Sequence, residues 1–308
     1  MIKKYNKCCK YLGGKMKNKK ILRDMKNPDD AVVGIVVTVL LIGLAMTIFV
    51  MLNTIYVPQW LESSEAAHMG EVSKQFTQLK YALDIQSTVD DSTAFTTSVT
   101  LGNKEIPFFN KGRTFDTLDI INDAITIDFT PGLSYTSDSL IFSSGNSYFV
   151  DQSYVYEAGA IIISQDEKNM VYGNPTLIRT SFIVDNSTGT PRNIGANYMV
   201  YIVEIDGIPG KTNIRGYGTY PIYTQAIGSS RDSIIQNLTS ITITTNYPTA
   251  WKTILEQAIE KQWFGPSDPY QISLTSNSVK LTFDPSYVFN FDIHSKTIVT
   301  QIAFGISE

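Results

Sequence analysis

Past residue 9 the chain has no cysteine: Cys8 and Cys9 are the only two among 308 residues. No disulfide can staple anything downstream, so packing and hydrogen bonds must hold that part together. Neighbouring thiols can bind metal or carry a lipid, but no third ligand stands near, and two free thiols in a tail is the plainer reading. Histidine is equally scarce. His68 and His294 are the only ones, and neither has a sequence neighbour at metal-ligand spacing. There is no P-loop, no dinucleotide fingerprint, no nucleophile elbow and no EF-hand loop. The acid pairs Asp90-Asp91 and Asp166-Glu167 lack partner residues and read as solvated turns. These absences predict no catalytic residue, no cofactor and no metal site, and the chain reads as a non-enzyme.

What is present begins with an uneven charge. Residues 1–30 carry ten basic and three acidic groups, a net of +7, while the rest carry 15 basic and 26 acidic groups, a net of −11. Between them runs Ala31 to Leu52, 22 residues without a charge, whose only polar side chains are Thr38 and Thr47. A helix of that length reaches ~33 Å, enough for a hydrocarbon core of ~30 Å. The run is too long for a signal-peptide core, and Pro58-Gln59-Trp60-Leu61 offers no small-residue cleavage site. Tyr56 and Trp60 follow at interfacial depth. The positive-inside rule then predicts a single pass through the cell membrane, residues 1–30 in the cytoplasm and residues 53–308 outside. Membrane lipid is the expected partner, and the basic leader needs no nucleic acid to explain it. Met16 and Met25 would each still leave basic residues before the span. At about 100° per residue, Gly34, Thr38 and Ala45 fall within about 40° of one another, a small-residue face suited to packing on another helix.

Residues 53–86 read as an extracellular helical extension. Met69, Val72, Phe76, Leu79 and Leu83 recur at helical spacing on one face. Two heptads are too few for a coiled coil, so packing on the chain's own β domain is favoured over pairing with another subunit. Pro58 is expected to break or kink the rod. From residue 87 to 308 the pattern becomes that of a mainly β, antiparallel, sandwich-like domain. Strand-like runs fall near 96–101, 125–129, 147–150, 159–164, 176–184, 198–205, 214–224, 241–244, 270–274, 279–283 and 297–306. Ser276-Asn277-Ser278 reads as a hairpin turn. One helix interrupts them, opened by Pro248-Thr249 with Thr249 as N-cap, striped by Trp251, Ile254, Leu255, Ala258, Ile259 and Trp263, and stopped at Gly265-Pro266. Gly228–Arg231 is a weak candidate for a subdomain boundary. Glu157, just before an apolar run, is expected to bond backbone amides in a turn that Gly159 makes possible. Asn186-Ser-Thr188 and Asn237-Leu-Thr239 are glycosylation sequons, usable outside the cell.

Taken together, the basic leader, the Ala-Val-Val-Gly-Ile helix from Ala31, its amphipathic extension and the β domain resemble archaeal type IV pilin-like surface proteins. Tyr156-Glu157-Ala-Gly159-Ala-Ile with Met170 and Asn174-Pro175 is similar to a stretch that recurs in uncharacterised members of that group, and so is Tyr247-Pro-Thr-Ala-Trp251 after a strand. The resemblance spans roughly residues 28–308. It implies an N-terminal helix able to pack with other pilin-like subunits and a displayed β domain. The functional expectation is a structural, adhesive or minor pilin-like surface role, with an anchored ligand-binding or sensing module as the alternative.

Overall fold

The computed structural model describes residues 28–89, 92–102, 114–166, 168–175, 178–187, 192–260 and 269–302. Cys8, Cys9, Trp263 and Gly265-Pro266 lie outside these residues. The chain divides into two compact units, Met1–Val57 and Pro58–Glu308.

The described residues of the first unit form a helix, α1 (Pro28–Met51), followed by a π-helical turn at Leu52–Tyr56. Side chains from Val32 to Leu52 are exposed, and none of the apolar window is covered by protein. Its few polar side chains are satisfied within the helix itself. Thr38 donates to the Gly34 carbonyl, Thr47 to Leu44, Asn53 to Phe49 and Thr54 to Val50, each at 2.8 Å. This helix is long and apolar enough to cross a membrane.

Pro58 does not break the helical run. The next helix, α2, starts at Val57 and ends at Thr88. The Val57 amide bonds the Leu52 carbonyl, five residues back. A π turn just before a proline widens the helix where the ring would otherwise meet a carbonyl one turn behind, so the helix continues instead of stopping.

The second unit is mainly β. Its strands are β1 (Ala94–Leu101), β2 (Asp116–Thr130), β3 (Leu133–Ser143), β4 (Gln152–Glu157), β5 (Ala160–Gln165), β6 (Lys168–Gly173) and β7 (Ile178–Asp185). After them come β8 (Arg192–Gly207), β9 (Asn213–Gly216), β10 (Gly218–Ile235), β11 (Ser240–Thr244), β12 (Tyr270–Leu274), β13 (Ser278–Phe283) and β14 (Val288–Ile302). A short helix, α3 (Pro248–Glu260), lies between β11 and β12. Five strands form one sheet in the order β1-β10-β14-β8-β7. Nine form the other, in the order β12-β13-β11-β2-β3-β4-β5-β6, with β9 beside β2. Neighbours pair antiparallel, except that β8 and β14 run parallel.

Both sheets curl, and β14 shows how. Phe289, Phe291 and Ile293 enter one hydrophobic cluster, whereas Ile298 and Ile302 enter another. The register with β8 is unbroken, so odd and even residues point to opposite faces throughout. The sheet is therefore covered on one face near its start and on the other near its end. Bulges bend β2 between Ile121 and Ile125 and β10 between Ile227 and Arg231. Gly228–Arg231 is thus a kink inside a strand, not a boundary; Gly228 takes φ +69° there, and its carbonyl receives the buried Lys296 ammonium at 2.6 Å.

The α2 stripe lies within the core of this unit. Met69, Val72, Phe76, Leu79 and Leu83 are buried in the second cluster beside Val99, Leu118 and Phe142. Phe76 sits edge-on to Phe142 at 6.4 Å and tilted on Tyr154 at 5.7 Å. The helical extension is therefore an internal element of the β unit. Strand β1 runs back along it: Gln86 donates to the Thr93 carbonyl, and Gln75 receives the Thr100 amide.

Candidate functional site

Three groups of buried or clustered polar side chains stand out, and each is built by a different junction of the fold. The most enclosed centres on Glu157, the last residue of β4. Ala158 and Gly159 form a two-residue hairpin loop with φ +42° and +91°, the left-handed pair that such a turn requires. Glycine fits the second position without strain, and among the described residues a Cβ there would touch Pro175 alone, at 3.7 Å.

The Glu157 carboxylate is 1% exposed. It accepts from Ser139 Oγ at 3.0 Å, Thr245 Oγ1 at 2.9 Å and Trp251 Nε1 at 3.0 Å. Its expected partners, turn amides, are not the ones used; three side chains from β3, from the end of β11 and from α3 take that role. Burial pushes its pKa up, and the bonds from Trp251, Thr245 and Ser139 pull it back. Thr245 also receives the Tyr247 amide at 3.1 Å. Tyr247 in turn is pushed up by burial and by the charge of Glu157. Helix α3 then begins at Pro248, where a missing amide costs nothing. Thr249 is not its cap; the Tyr247 carbonyl receives the first amides, Ala250 and Trp251. Beneath α3 lies an apolar cavity of about 80 Å³, lined by Ala158, Trp251, Ile254, Ile202, Leu281 and Phe291.

The second group holds α2. Glu65 receives the amides of Ser147, Tyr148 and Phe149, the last two at 2.8 and 2.7 Å. Asp116, fully buried, receives Gly102 N at 2.7 Å and Gly145 N at 2.9 Å, and faces His68 Nε2 at 2.8 Å. A carboxylate already serving two amides makes His68 the donor. The run 147–150, expected to be a strand, is a bend whose amides go to Glu65 instead of a ladder.

The third group is at the surface. His294 meets Asp232 through Nδ1 at 2.6 Å and Asp292 through Nε2 at 3.4 Å, with Tyr201 stacked on its ring at 4.9 Å. The two carboxylates address opposite edges of the imidazole. Among the described residues no group of three or more His, Cys, Asp or Glu side chains is disposed to hold a metal ion.

The remaining candidates are placed apart from these groups. Asn186 and Asn237 are both exposed, Asn186 after β7 and Asn237 between β10 and β11 with φ +55°. Thr188 lies outside the described residues. Thr239 uses its hydroxyl on the Thr130 carbonyl. Gly34, Thr38 and Ala45 are exposed on α1, and a Cβ at Gly34 meets nothing within 4 Å among the described residues.

The fold brings Glu157, Pro175 and Trp251 together, the three segments singled out in sequence. It adds Ser139, Thr245, Glu65 and Asp116, which sequence reading passed over. The available signal was positional: Leu61, Glu65 and His68 continue the α2 stripe backward, so a carboxylate and an imidazole occupy core positions. Chemically, the Glu157 and Asp116 carboxylates are enclosed acceptors that join elements. Comparison with protein-family models, curated proteins and solved structures found no match to this chain.

Proposed function

We propose that the chain is a single-pass, N-terminally anchored cell-surface protein, with residues 1–30 in the cytoplasm and a β unit outside in a structural or adhesive, pilin-like role. The observation that carries the reading is a contrast within one helical run. From Val32 to Leu52 the apolar side chains are uncovered, whereas the apolar stripe of α2 is buried in its own β unit. An uncovered apolar segment of this length is stable in lipid or among other apolar helices, not in water. The +7 leader and the −11 remainder support the orientation. The open Gly34, Thr38 and Ala45 face supports packing with other pilin-like helices, as the resemblance to archaeal type IV pilin-like proteins implies. The exposed Asn186 and Asn237 suit glycosylation.

The cavity beneath α3 favours the alternative, an anchored binding module, only weakly. Its 80 Å³ is about half of the ~150 Å³ engineered cavity known to admit benzene and far below the ~300–1,000 Å³ of ordinary ligand pockets. The test is to image a C-terminally tagged chain on intact cells and to sequence the mature N-terminus of the membrane fraction. Surface label that resists alkaline extraction is expected. Tagged protein released by alkaline washing would sink the anchor.

A further inference from the structure

Two exposed tyrosines line one groove of the β unit, Tyr81 from α2 and Tyr172 from β6. The groove measures about 430 Å³, within the ~300–1,000 Å³ of ordinary ligand pockets. On α2, Lys80, Tyr81 and Asp84 share a face at helical spacing, beside the buried stripe of Phe76, Leu79 and Leu83. Tyr81 is 69% exposed there and Tyr172 is 50% exposed on its strand. A bulge places Tyr172. Strand β6 lies at the edge of its sheet, paired to β5. Ile161 stands opposite Gly173 and Ile162 opposite Val171, so Tyr172 is the extra residue. Bulges re-aim a side chain in this way. The ring is held edge-on by Tyr154 at 6.3 Å. Gly173, next to it, is a glycine that the backbone does not demand. Its φ lies outside the left-handed region, and a Cβ there would meet Ile161 and the Lys80 stem at 3.5 Å, an ordinary contact. Glycine weakens a strand and often marks the close approach of a ligand. Here the missing side chain keeps the groove open over the Lys80 stem.

We propose that this groove binds a pyranose ring of a neutral saccharide. The face of a tyrosine is the negative pole of its quadrupole, and it takes the C–H face of a sugar. The sugar hydroxyls need donors and acceptors close together. Lys80 Nζ pairs with Asp84 at 2.6 Å, with 8% and 16% of the two side chains exposed. An ammonium has three protons and a carboxylate about four acceptor sites, more than this one bond uses. Asn174 adds an exposed amide, steadied by Gln257 of α3 at 2.9 Å. Lys80 and Asp84 are the charged residues of the lining and cancel one another, so nothing there selects a charged ligand. A wholly apolar ligand is disfavoured too, because it would cover the ion pair without bonding to it. The inference goes beyond the anchored, pilin-like reading and stands on the β unit alone.

The experiment uses the full chain in a zwitterionic detergent that carries no sugar. The probes are the methyl glycosides of glucose, galactose, mannose and N-acetylglucosamine, followed by saturation-transfer NMR and titration calorimetry. At least one should bind saturably in the millimolar range, with its ring C–H protons the most strongly saturated. Tyr81→Ala and Tyr172→Ala should each weaken that binding about tenfold, and Gly173→Leu, which fills the groove, should abolish it. Tyr223, exposed on β10 and outside the groove, supplies the control: Tyr223→Ala should bind as the parent does. Urea midpoints equal to the parent's establish that the variants fold. If Gly173→Leu does not fold, the two tyrosine variants decide the matter. No saturable binding of any of the four glycosides would overturn the site. Binding that survives both tyrosine truncations, or that falls equally with Tyr223→Ala, would overturn it too. None of these results bears on the anchor, which alkaline extraction tests separately.

Discussion

Replacing Glu157 separates two reasons a buried carboxylate can matter, its charge and its acceptor geometry. Glu157→Ala leaves three donors facing an empty space. The Trp251 N–H has no freedom to redirect, and an unsatisfied buried donor of that kind costs about 1–3 kcal/mol. The Ser139 and Thr245 hydroxyls can rotate, so each contributes less, about 1 kcal/mol. The loss should total about 3–5 kcal/mol, with α3 loosened at its first turn. Glu157→Gln is a different perturbation. Its carbonyl oxygen can take Thr245 and Trp251, and its amide can donate to Ser139 Oγ, which also accepts. The shape and the bonds survive while the charge goes. The pH dependence follows from the raised folded pKa of Glu157. The folded state holds this proton more tightly than the unfolded state. The stability it contributes is therefore full below the unfolded value near 4.5 and is lost as pH rises through the folded value. Gln has no such loss, so Glu157→Gln should gain on the parent across that window, and the difference between them should stay constant above it. The assay is urea unfolding of the full chain in detergent, followed by Trp fluorescence from pH 4 to 8. A silent Glu157→Ala, or a Glu157→Gln as damaging as Ala, would refute the claim that this group is an acceptor joining α3 to the sheets.

Other consequences are as direct. Phe76→Ala should cost about 3–5 kcal/mol, the range for truncating a buried phenylalanine, because Phe76 is fully covered within the unit; a silent truncation by the same unfolding assay would mean the α2 stripe faces another subunit instead. Glu65→Ala should abolish hydrogen-exchange protection at the Ser147, Tyr148 and Phe149 amides, which have Glu65 as acceptor, while the Asp116-bonded Gly102 amide keeps its protection; unchanged exchange at 147–149 would refute the clamp. Leu substitutions at Gly34 and Ala45 should abolish an oligomer that crosslinking detects in membranes, while Leu at Val37 or Ile48 leaves it intact; equal behaviour of all four would make α1 a solitary anchor.

Much of the architecture could be read from local pattern. The apolar span, the α2 stripe, the hairpin at Ser276–Ser278 and the α3 face each repeat at the period of their element, and each is present. What could not be read depends on buried polar groups and distant pairing. Strand β3 lacks a readable period because both of its faces are covered and Ser137, Asp138 and Ser139 are all buried: Ser137 Oγ takes the Ile205 amide, Asp138 takes Gly207 N and Ser139 serves Glu157. Alternation of apolar and polar residues is lost when the buried residues are themselves polar. The run Tyr148-Phe149-Val150 misled in the opposite sense, having strand composition while its amides serve a helix carboxylate 83 and 84 residues away. The parallel pairing of β8 with β14 joins segments far apart in sequence, and no local period encodes it. Glu157 stands out in sequence by its place before an apolar run, but its partners come from three separate elements and only the fold assembles them.

The central claim, a helix in the membrane with the β unit outside, is tested most directly by protease added to intact cells. Cleavage should remove the bulk of residues 87–308 without lysis and leave a small, membrane-protected fragment that contains Ala31–Leu52. Residues 87–308 that stay whole on intact cells, yet are cut once the membrane is opened, would contradict it.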